Sequence, residues 1–260
     1  MRCIFCKADS SASRAVEHIV PESLGNTEHI LPPGVVCDSC NNYFSRKIER
    51  PLLNSDYFIH ARYHSEVYSK KGRIPPVRAI HVESATLVEI GKHKSEQFIY
   101  PSQEEDSQRF INSILRSRKA TVVVPAEPSP PDEQVVSRFI GKVALEALAH
   151  RFLNVPGGLD EVVDKAELDE LRNYVRRGSC RFVWPFHQRA IYAEGTLFYE
   201  EGYGHYEVLH EYTFLYTELQ ELYFVLAIFG VEYALNMGTP DISRYLEWLR
   251  QNGNKSPLYL

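Results

Sequence analysis

Length, composition and charge exclude several classes of protein. The chain has 260 residues, of which 44% are hydrophobic and 24% charged. These values are near the averages of folded proteins, so wholesale disorder is excluded, and the length allows one large domain or two smaller ones. The longest apolar run, Leu222 to Leu235, is short and contains Glu232, and the chain begins without a signal-peptide pattern. We therefore expect a cytoplasmic protein without a membrane span.

The net charge of −5 is distributed unevenly along the chain. Residues 1–78 hold 11 Lys and Arg against 8 Asp and Glu, which leaves the excess of acidic residues to the remainder. A basic first part is compatible with a nucleic-acid partner but does not require one.

Four of the five cysteines form two Cys-x-x-Cys pairs, Cys3 with Cys6 and Cys37 with Cys40, whereas Cys180 stands alone. A two-residue gap lets both thiolates of a tight turn face one ion, and two such turns supply the four sulfurs that zinc prefers. Disulfides, a redox pair and an iron-sulfur cluster are the alternatives, and the missing export signal and the spacings favour zinc. We expect the four paired cysteines to bind structural Zn²⁺, and Cys180 to be a small core residue.

The segment between the pairs reads Val16-Glu17-His18-Ile19-Val20-Pro21-Glu22-Ser23-Leu24-Gly25-Asn26, and the second pair continues into Asn41-Asn42-Tyr43-Phe44. In this order of motifs, residues 1–55 resemble the HNH nuclease family. The resemblance implies a ββα unit that grips one metal ion. We expect the zinc to pin the ends of this unit, which is too small to hold itself together.

Three residues are candidates for the chemistry that this resemblance implies. His18 is the expected general base, because imidazole takes up a proton near neutral pH. Glu17 and Asn41 are expected to bind Mg²⁺ or Mn²⁺, hard ions that prefer oxygen ligands, with Asn42 as the alternative to Asn41. Neighbouring residues of a regular strand face opposite sides, so Glu17 and His18 reach one ion only from a strand end or a bulge.

Each candidate also has a purely structural interpretation. His18 can be a packed or surface histidine, Glu17 can orient that ring, and the two asparagines can cap a helix. Two departures from the family pattern matter. No asparagine stands near Pro32, where a backbone brace is expected to replace it, and Asn41 stands where the family commonly has a histidine. The second departure is expected to lower metal affinity.

Basic and aromatic residues alternate from Tyr57 to His64, and further Lys and Arg follow. This composition suits phosphate contacts and base stacking, although a solvated helix face followed by a loop explains it equally well. The residues that we expect to bind nucleic acid are Arg46, Lys47, Arg62, Lys70, Lys71 and Arg73. By resemblance DNA is the expected substrate, and RNA remains open.

Residues 56–260 are expected to form a larger α+β module with a mostly antiparallel sheet. The residue pattern predicts a hairpin within 77–100 with Gly91 in its turn, helices at 135–153, 167–175 and 241–250, and strands at 182–192 and 206–235. A proline-rich connector is expected at 126–133.

The larger module carries no recognisable catalytic motif. Its scattered histidines, His150, His187, His205 and His210, are expected to have core or surface roles. Target recognition, effector sensing, a homodimer contact or binding of a regulatory partner are the roles left for residues 56–260.

The sequence therefore predicts a metal-dependent DNA endonuclease with zinc as its scaffold, since a closed all-thiolate zinc has no open position for water. One rival is a zinc module that binds nucleic acid or protein without cutting. The other is a sensor or interaction protein whose C-terminal part controls the nuclease.

Overall fold

Helices and antiparallel strands make up the computed structural model, which describes residues 1–94, 96–118, 120–125, 128–178 and 182–260. The α-helices in these ranges are α1 (Asp38–Phe44), α2 (Arg50–Leu53), α3 (Asp56–His64), α4 (Ser107–Ser117), α5 (Glu133–Phe152), α6 (Gly158–Asp164), α7 (Asp169–Arg177) and α8 (Ser243–Gln251). The strands are β1 (Glu17–His18), β2 (Ile30–Leu31), β3 (Val77–His81), β4 (Thr86–His93), β5 (Glu96–Pro101), β6 (Val122–Val123), β7 (Phe186–Ala190), β8 (Leu197–Glu200), β9 (Gly204–Glu207), β10 (His210–Tyr216), β11 (Leu222–Ile228) and β12 (Val231–Asn236). These strands pair antiparallel, which confirms the expected α+β class with an antiparallel sheet.

The chain divides into two compact units that do not follow the expected boundary at residue 55. One unit combines Met1–Leu52 with Asp132–Leu260, and the other is Leu53–Pro131. The physical reason is α5, which contacts β2 and the π-helical segment Ser45–Glu49 although it belongs to the expected C-terminal module. The expected connector at 126–133 falls at the boundary between the units, and its residues 126 and 127 lie outside the described part of the chain.

Helix α5 is the central element of the larger unit. Asp132 caps its N-terminus by accepting a hydrogen bond from the Val135 N–H at 2.9 Å, as aspartate commonly does. Every residue from Val136 to Ala149 is buried, so all faces of the helix contact other elements, not just one stripe. Among the described helices, α5 included, none is both long and apolar enough to cross a bilayer.

The four-stranded sheet of the larger unit has the order β10-β11-β12-β7. Both β11 and β12 are buried along nearly their whole length, as expected of strands covered on both faces. Tyr223, Val225 and Ala234 of these strands pack against Tyr245 and Leu249 of α8. The runs predicted as strands at 182–192 and 206–235 thus supply this sheet.

The smaller unit, Leu53–Pro131, contains the sheet β5-β4-β3-β6 with α3 and α4. Ala79 and Val88 of the sheet pack against Phe110 of α4. The predicted hairpin is a three-stranded meander, and the placement of Gly91 in a turn is wrong, because Gly91 lies within β4 opposite Phe98. A Cβ atom on Gly91 would lie 2.6 Å from the Phe98 ring, so the glycine leaves room for that ring.

Candidate zinc centre and active site

The four paired cysteines converge at one point, as the zinc prediction requires. Their sulfur atoms all lie within 4.8 Å of one another, and the sulfurs of Cys6 and Cys37 are 3.6 Å apart. Cys3 and Cys40 are buried, whereas Cys6 and Cys37 are partly exposed. Four sulfurs at this separation fit the tetrahedral thiolate shell of a structural zinc ion. Among the described residues, no other group of three or more His, Cys, Asp or Glu side chains is arranged to hold a metal ion.

Backbone turns direct these thiols toward one another. The first pair closes a turn in which the Lys7 N–H donates to the Cys3 carbonyl at 2.9 Å, with Lys7 at a φ of 59°. Cys37 is the N-cap of α1, and its sulfur accepts a hydrogen bond from the Cys40 N–H at 3.4 Å. Hydrogen bonds of this kind stabilise a thiolate over a thiol.

Because the thiols lie close together, their pKa values differ. The hydrogen bond with Cys40 lowers the pKa of Cys3 to about 4, whereas that same contact and burial raise the pKa of Cys40. An ion bound to all four sulfurs replaces the remaining protons with its own charge. Metal binding at this cluster is therefore coupled to proton release.

The candidate catalytic pair lies on a very short hairpin. Glu17 of β1 lies opposite Leu31 of β2, and His18 lies opposite Ile30. Because β1 consists of these two residues, both are at a strand end, which is the arrangement that the sequence required. Glu17 is buried, whereas His18 is partly exposed.

Glu17 belongs to a buried cluster of charges. Its carboxylate lies 2.7 Å from the Nζ atom of Lys142 on α5, which also lies 2.9 Å from a carboxylate oxygen of Glu49 and 2.8 Å from one of Glu146. Burial works to lower the pKa of Lys142, but the three carboxylates outweigh it and raise this pKa well above the usual value. Burial raises the pKa of the Glu146 carboxyl. A protonated Lys142 thus ties together β1, the π-helical segment and α5.

His18 contacts a different set of atoms. Its Nε2 atom lies 4.0 Å from the carboxylate of Glu22, and its Nδ1 atom is buried without a hydrogen-bond partner among the described residues. The side chain is 17% exposed, so water reaches the ring, as a general base requires.

Asn41 lies within the first turns of α1, since that helix begins at Asp38 with Cys37 as its cap. The interpretation of the two asparagines as an N-cap is therefore wrong. The Asn41 amide nitrogen donates to the Val16 carbonyl at 3.3 Å, which brings the side chain next to β1. Its amide oxygen accepts no hydrogen bond from the described residues. Asn42 is exposed.

The cysteine cluster, the hairpin and α1 lie in a segment that is similar to a known protein family. Residues 3–56 match the family model described as HNH endonuclease. The matched segment contains the four clustered cysteines together with the hairpin and α1. We name residues 3–56 the HNH domain after this match. The match confirms the resemblance and supports a nuclease-type function in general. No curated protein matches the chain, and no solved structure does either.

Asn26, which the sequence did not indicate as a functional residue, braces the hairpin of the HNH domain. The buried Asn26 amide nitrogen donates to the carbonyls of Val20 at 2.8 Å and His29 at 2.9 Å. Its amide oxygen accepts from the N–H groups of Glu28 and His29. A side-chain brace thus holds this loop, which differs from the backbone brace expected near Pro32. The signal was an asparagine directly after Gly25, whose φ of 90° marks a turn.

Helices α6 and α7 hold the first cysteine turn of the HNH domain. Arg2 pairs with Asp164 at 2.7 Å, and Lys7 pairs with Asp169 at 2.6 Å. The buried Arg172 donates from Nε to the Ile4 carbonyl at 2.8 Å. These contacts show that the HNH domain packs as part of the larger unit.

A stripe of polar residues at four-residue intervals on α5 also faces the HNH domain. Arg138 donates to the Tyr43 hydroxyl at 2.8 Å, Lys142 binds Glu17, and the rings of His150 and His29 lie 5.8 Å apart. Residues four apart share one face of a helix. The four-residue spacing of these polar residues is a signal in the sequence for this face of α5.

Three of the histidines lie near one another in the larger unit. Burial lowers the pKa of His150 and of His210, and the charge on His29 lowers both further. The ring of Tyr212 lies 5.5 Å from that of His29. The partly buried surroundings agree with the structural roles expected of His150 and His210.

The residues expected to bind nucleic acid fall in both units. Arg46 and Lys47 are exposed on the π-helical segment of the HNH domain. Lys70, Lys71 and Arg73 are exposed in the smaller unit, whereas Arg62 is buried there. Cys180, the predicted core cysteine, lies outside the described residues.

Proposed function

We propose that the chain is a metal-dependent endonuclease that hydrolyses phosphodiester bonds in DNA. The observation that supports this most directly is the HNH endonuclease match over residues 3–56, which includes the cysteine cluster and His18. Hydrolysis of a phosphodiester needs a base for water, a cation for the phosphate oxygens and stabilisation of the leaving oxygen. The HNH domain offers side chains for the first two of these.

His18 is the proposed general base. Its ring is accessible to water, and its Nδ1 atom has no partner among the described residues. The Glu22 carboxylate lies 4.0 Å from its Nε2 atom.

Glu17 and Asn41 are the proposed ligands of Mg²⁺ or Mn²⁺, with Asn42 as the alternative. When bound, such an ion neutralises charge on the phosphate oxygens. The Asn41 amide oxygen fits this role, because it is a hard ligand without a hydrogen bond from the described residues. Glu17 serves as a ligand only in competition with Lys142, whose ammonium already lies 2.7 Å from it.

The four cysteines are proposed to hold zinc as a scaffold. A shell of four thiolates leaves no open position at the metal for water or substrate. The cysteine turns instead fix the start of the chain against the start of α1, with the hairpin between them. Reduced thiols at this cluster suit the reducing, cytoplasmic location that we propose.

A cleavage assay with the full chain tests the proposal. Supercoiled plasmid DNA is incubated with the zinc-loaded protein and Mg²⁺ or Mn²⁺, and an RNA of matched length is the competing substrate. We expect metal-dependent nicking or cutting of DNA that His18→Ala abolishes and His205→Ala, a change at an exposed histidine, leaves intact. Cleavage that survives in His18→Ala would exclude His18 as the base, and preference for RNA would replace DNA as the substrate.

One observation favours a second candidate function, a zinc module that binds nucleic acid or protein without cutting. Glu17 is neutralised by a lysine within the protein, which is unusual for a residue that must bind a divalent ion. This candidate predicts nucleic-acid binding with no cleavage at any metal concentration. Helix α5 belongs to residues 56–260 and contacts the HNH domain. A regulatory partner or a second copy of the chain that binds residues 56–260 is therefore predicted to control the activity of the HNH domain.

A further inference from the structure

A groove in the smaller unit has the chemistry of a nucleic-acid site. It encloses about 470 Å³ and lies between the loop after α3 and the neighbouring strands β4 and β5. Its lining carries three cationic side chains, the imidazole of His93 and three larger aromatic rings, but no carboxylate. The cations are Arg62, Arg73 and Lys92, and the larger rings are Tyr68, Phe98 and Tyr100. A surface with that composition suits an anion that also carries flat rings.

Arg62 is the feature that points to a ligand. Arg62 is 5% exposed, and its Nε atom is buried without a hydrogen-bond partner among the described residues. In the described part of the chain no carboxylate pairs with it. A buried charge without a partner is costly, and a guanidinium binds phosphate oxygens with two parallel hydrogen bonds. A phosphate in the groove supplies the missing partner.

The loop beside Arg62 adds positive charge at the mouth of the groove. Ser69 and Arg73 close it by a backbone hydrogen bond of 2.8 Å, and Gly72 takes a φ of 66° at its tip. The exposed Lys70 and Lys71 stand on this tip. Lys92 is more constrained, because it binds the Glu66 carboxylate at 3.2 Å and the Tyr63 carbonyl at 3.1 Å. Arg62 and Arg73 are therefore the cations available to a ligand.

The aromatic rings form a platform on β5. Phe98 and Tyr100 lie two residues apart on one face of the strand, with ring centroids 5.7 Å apart and planes inclined by 22°. They are 47% and 36% exposed. The Phe98 ring covers Gly91, and the Tyr100 hydroxyl donates to Glu89 at 2.8 Å, so both rings are held in place while exposed to solvent.

We propose that this groove binds a single-stranded segment of nucleic acid, with a phosphate at Arg62 and Arg73 and bases stacked on Phe98 and Tyr100. Base faces are accessible for such stacking in a single strand and are covered in a duplex. Binding here does not depend on cleavage by the HNH domain. The further claim that the bound strand is the nuclease's substrate rests on the proposed function.

Fluorescence anisotropy of labelled oligonucleotides tests the groove. The full chain carrying His18→Ala, which prevents cleavage of the probe, is titrated into single-stranded DNA of about 12 nucleotides, within the usual range of such sites. Single-stranded RNA, the matched duplex and an acidic peptide of equal charge are the other probes. The variants are Arg62→Met, Phe98→Ala and Gly91→Ala, and the controls are the exposed Arg116→Met and Tyr203→Ala.

We expect Arg62→Met and Phe98→Ala each to weaken single-strand binding by about fivefold or more, with both controls unchanged. Gly91→Ala displaces the exposed Phe98 ring at little cost to the fold. It is expected to weaken single-strand binding by a similar factor. Arg62→Met is expected to leave the melting temperature unchanged or raised, because it removes a buried unpaired charge.

Three results would overturn the proposal that the groove binds single-stranded nucleic acid. The first is an affinity for the single strand in all three groove variants equal to that of the His18→Ala chain. The second is tighter binding of the duplex than of the single strand. The third is binding of the acidic peptide but not of the oligonucleotides. A preference between single-stranded DNA and RNA identifies the sugar and supports the groove in either case. If binding behaves as expected while the cleavage assay fails, the proposed function is wrong and the groove stands.

Discussion

The ammonium of Lys142 lies 2.7 Å from the carboxylate of Glu17, although 125 positions separate the two residues in the chain. This contact, with those of Lys142 to Glu49 and Glu146, makes α5 a structural part of the HNH domain. The domain matched over residues 3–56 therefore depends on a helix that lies far outside the match.

Replacing Lys142 by methionine tests this dependence. Methionine has similar length but no charge, so the variant leaves three buried or partly buried carboxylates without their cation. We expect a loss of about 3–5 kcal/mol in the free energy of unfolding, the usual cost of breaking a buried ion pair from one side. Urea unfolding followed by circular dichroism measures it, with the exposed Lys165→Met as the control. A loss no larger than the control's would mean that the cluster contributes nothing to stability.

The cysteine cluster leads to a prediction about metal content. We expect one zinc ion per chain by mass spectrometry of the native protein, and none after Cys40→Ser. Chelation is expected to lower the melting temperature, because zinc binding contributes to folding, and added zinc is expected to restore it. Full metal content in Cys40→Ser would contradict the assignment of the site.

Asn26 provides a prediction about the hairpin. Asn26→Ala leaves two carbonyls and two N–H groups without the partners that they have in the protein. We expect a loss of about 2–4 kcal/mol, since each buried unsatisfied group costs about 1–3 kcal/mol and some regain water. Asn26→Asp keeps the acceptor but places a buried carboxylate oxygen against the two carbonyls that the amide nitrogen contacts, so its loss in urea unfolding is expected to be at least as large. A clearly smaller loss in Asn26→Asp would contradict the role of the donated bonds.

The parts of the site that the sequence predicted are local. Each cysteine pair and the Glu17-His18 step lie within a few residues, where spacing alone limits the geometry, and the placement of both residues at a strand end followed from strand geometry. The ionic cluster and the groove combine distant residues. Lys142 reaches Glu17 only because α5 packs on the hairpin, and Phe98 and Arg62 line one groove only because β5 pairs beyond β4. No spacing rule brings such positions together.

The histidines of the larger unit predict how stability depends on pH. Burial lowers the pKa of His150 and His210, so the folded protein resists their protonation. A depressed pKa contributes stability that is complete above the ordinary histidine value, about 6.5, and is lost as pH falls through the folded-state value. We expect the urea midpoint to fall between pH 7.5 and pH 5, within the range that histidines control.

A double variant, His150→Gln with His210→Gln, checks this dependence. Its urea midpoint is expected to change less with pH than that of the native chain, and the exposed His205→Gln is expected to keep the native slope. A residual slope is expected from His187, whose pKa burial also lowers. An unchanged slope in the double variant would assign the pH dependence to other groups.

Glu17 has two proposed roles, metal ligand and structural anchor, and paired substitutions separate them. Glu17→Gln removes the negative charge but keeps an oxygen and the size of the side chain. If Glu17 binds the divalent ion, this variant should need at least tenfold more Mg²⁺ for half-maximal cleavage, because second-sphere and ligand changes typically cost about 10–100-fold in metal affinity.

Lys142→Gln removes the competing ammonium and should then lower the Mg²⁺ requirement in the molecules that remain folded. If Glu17 is an anchor only, both variants lose stability while the Mg²⁺ requirement of the folded fraction stays unchanged. Titration of Mg²⁺ in the cleavage assay, at a temperature where urea unfolding shows each variant to be folded, decides between the two roles.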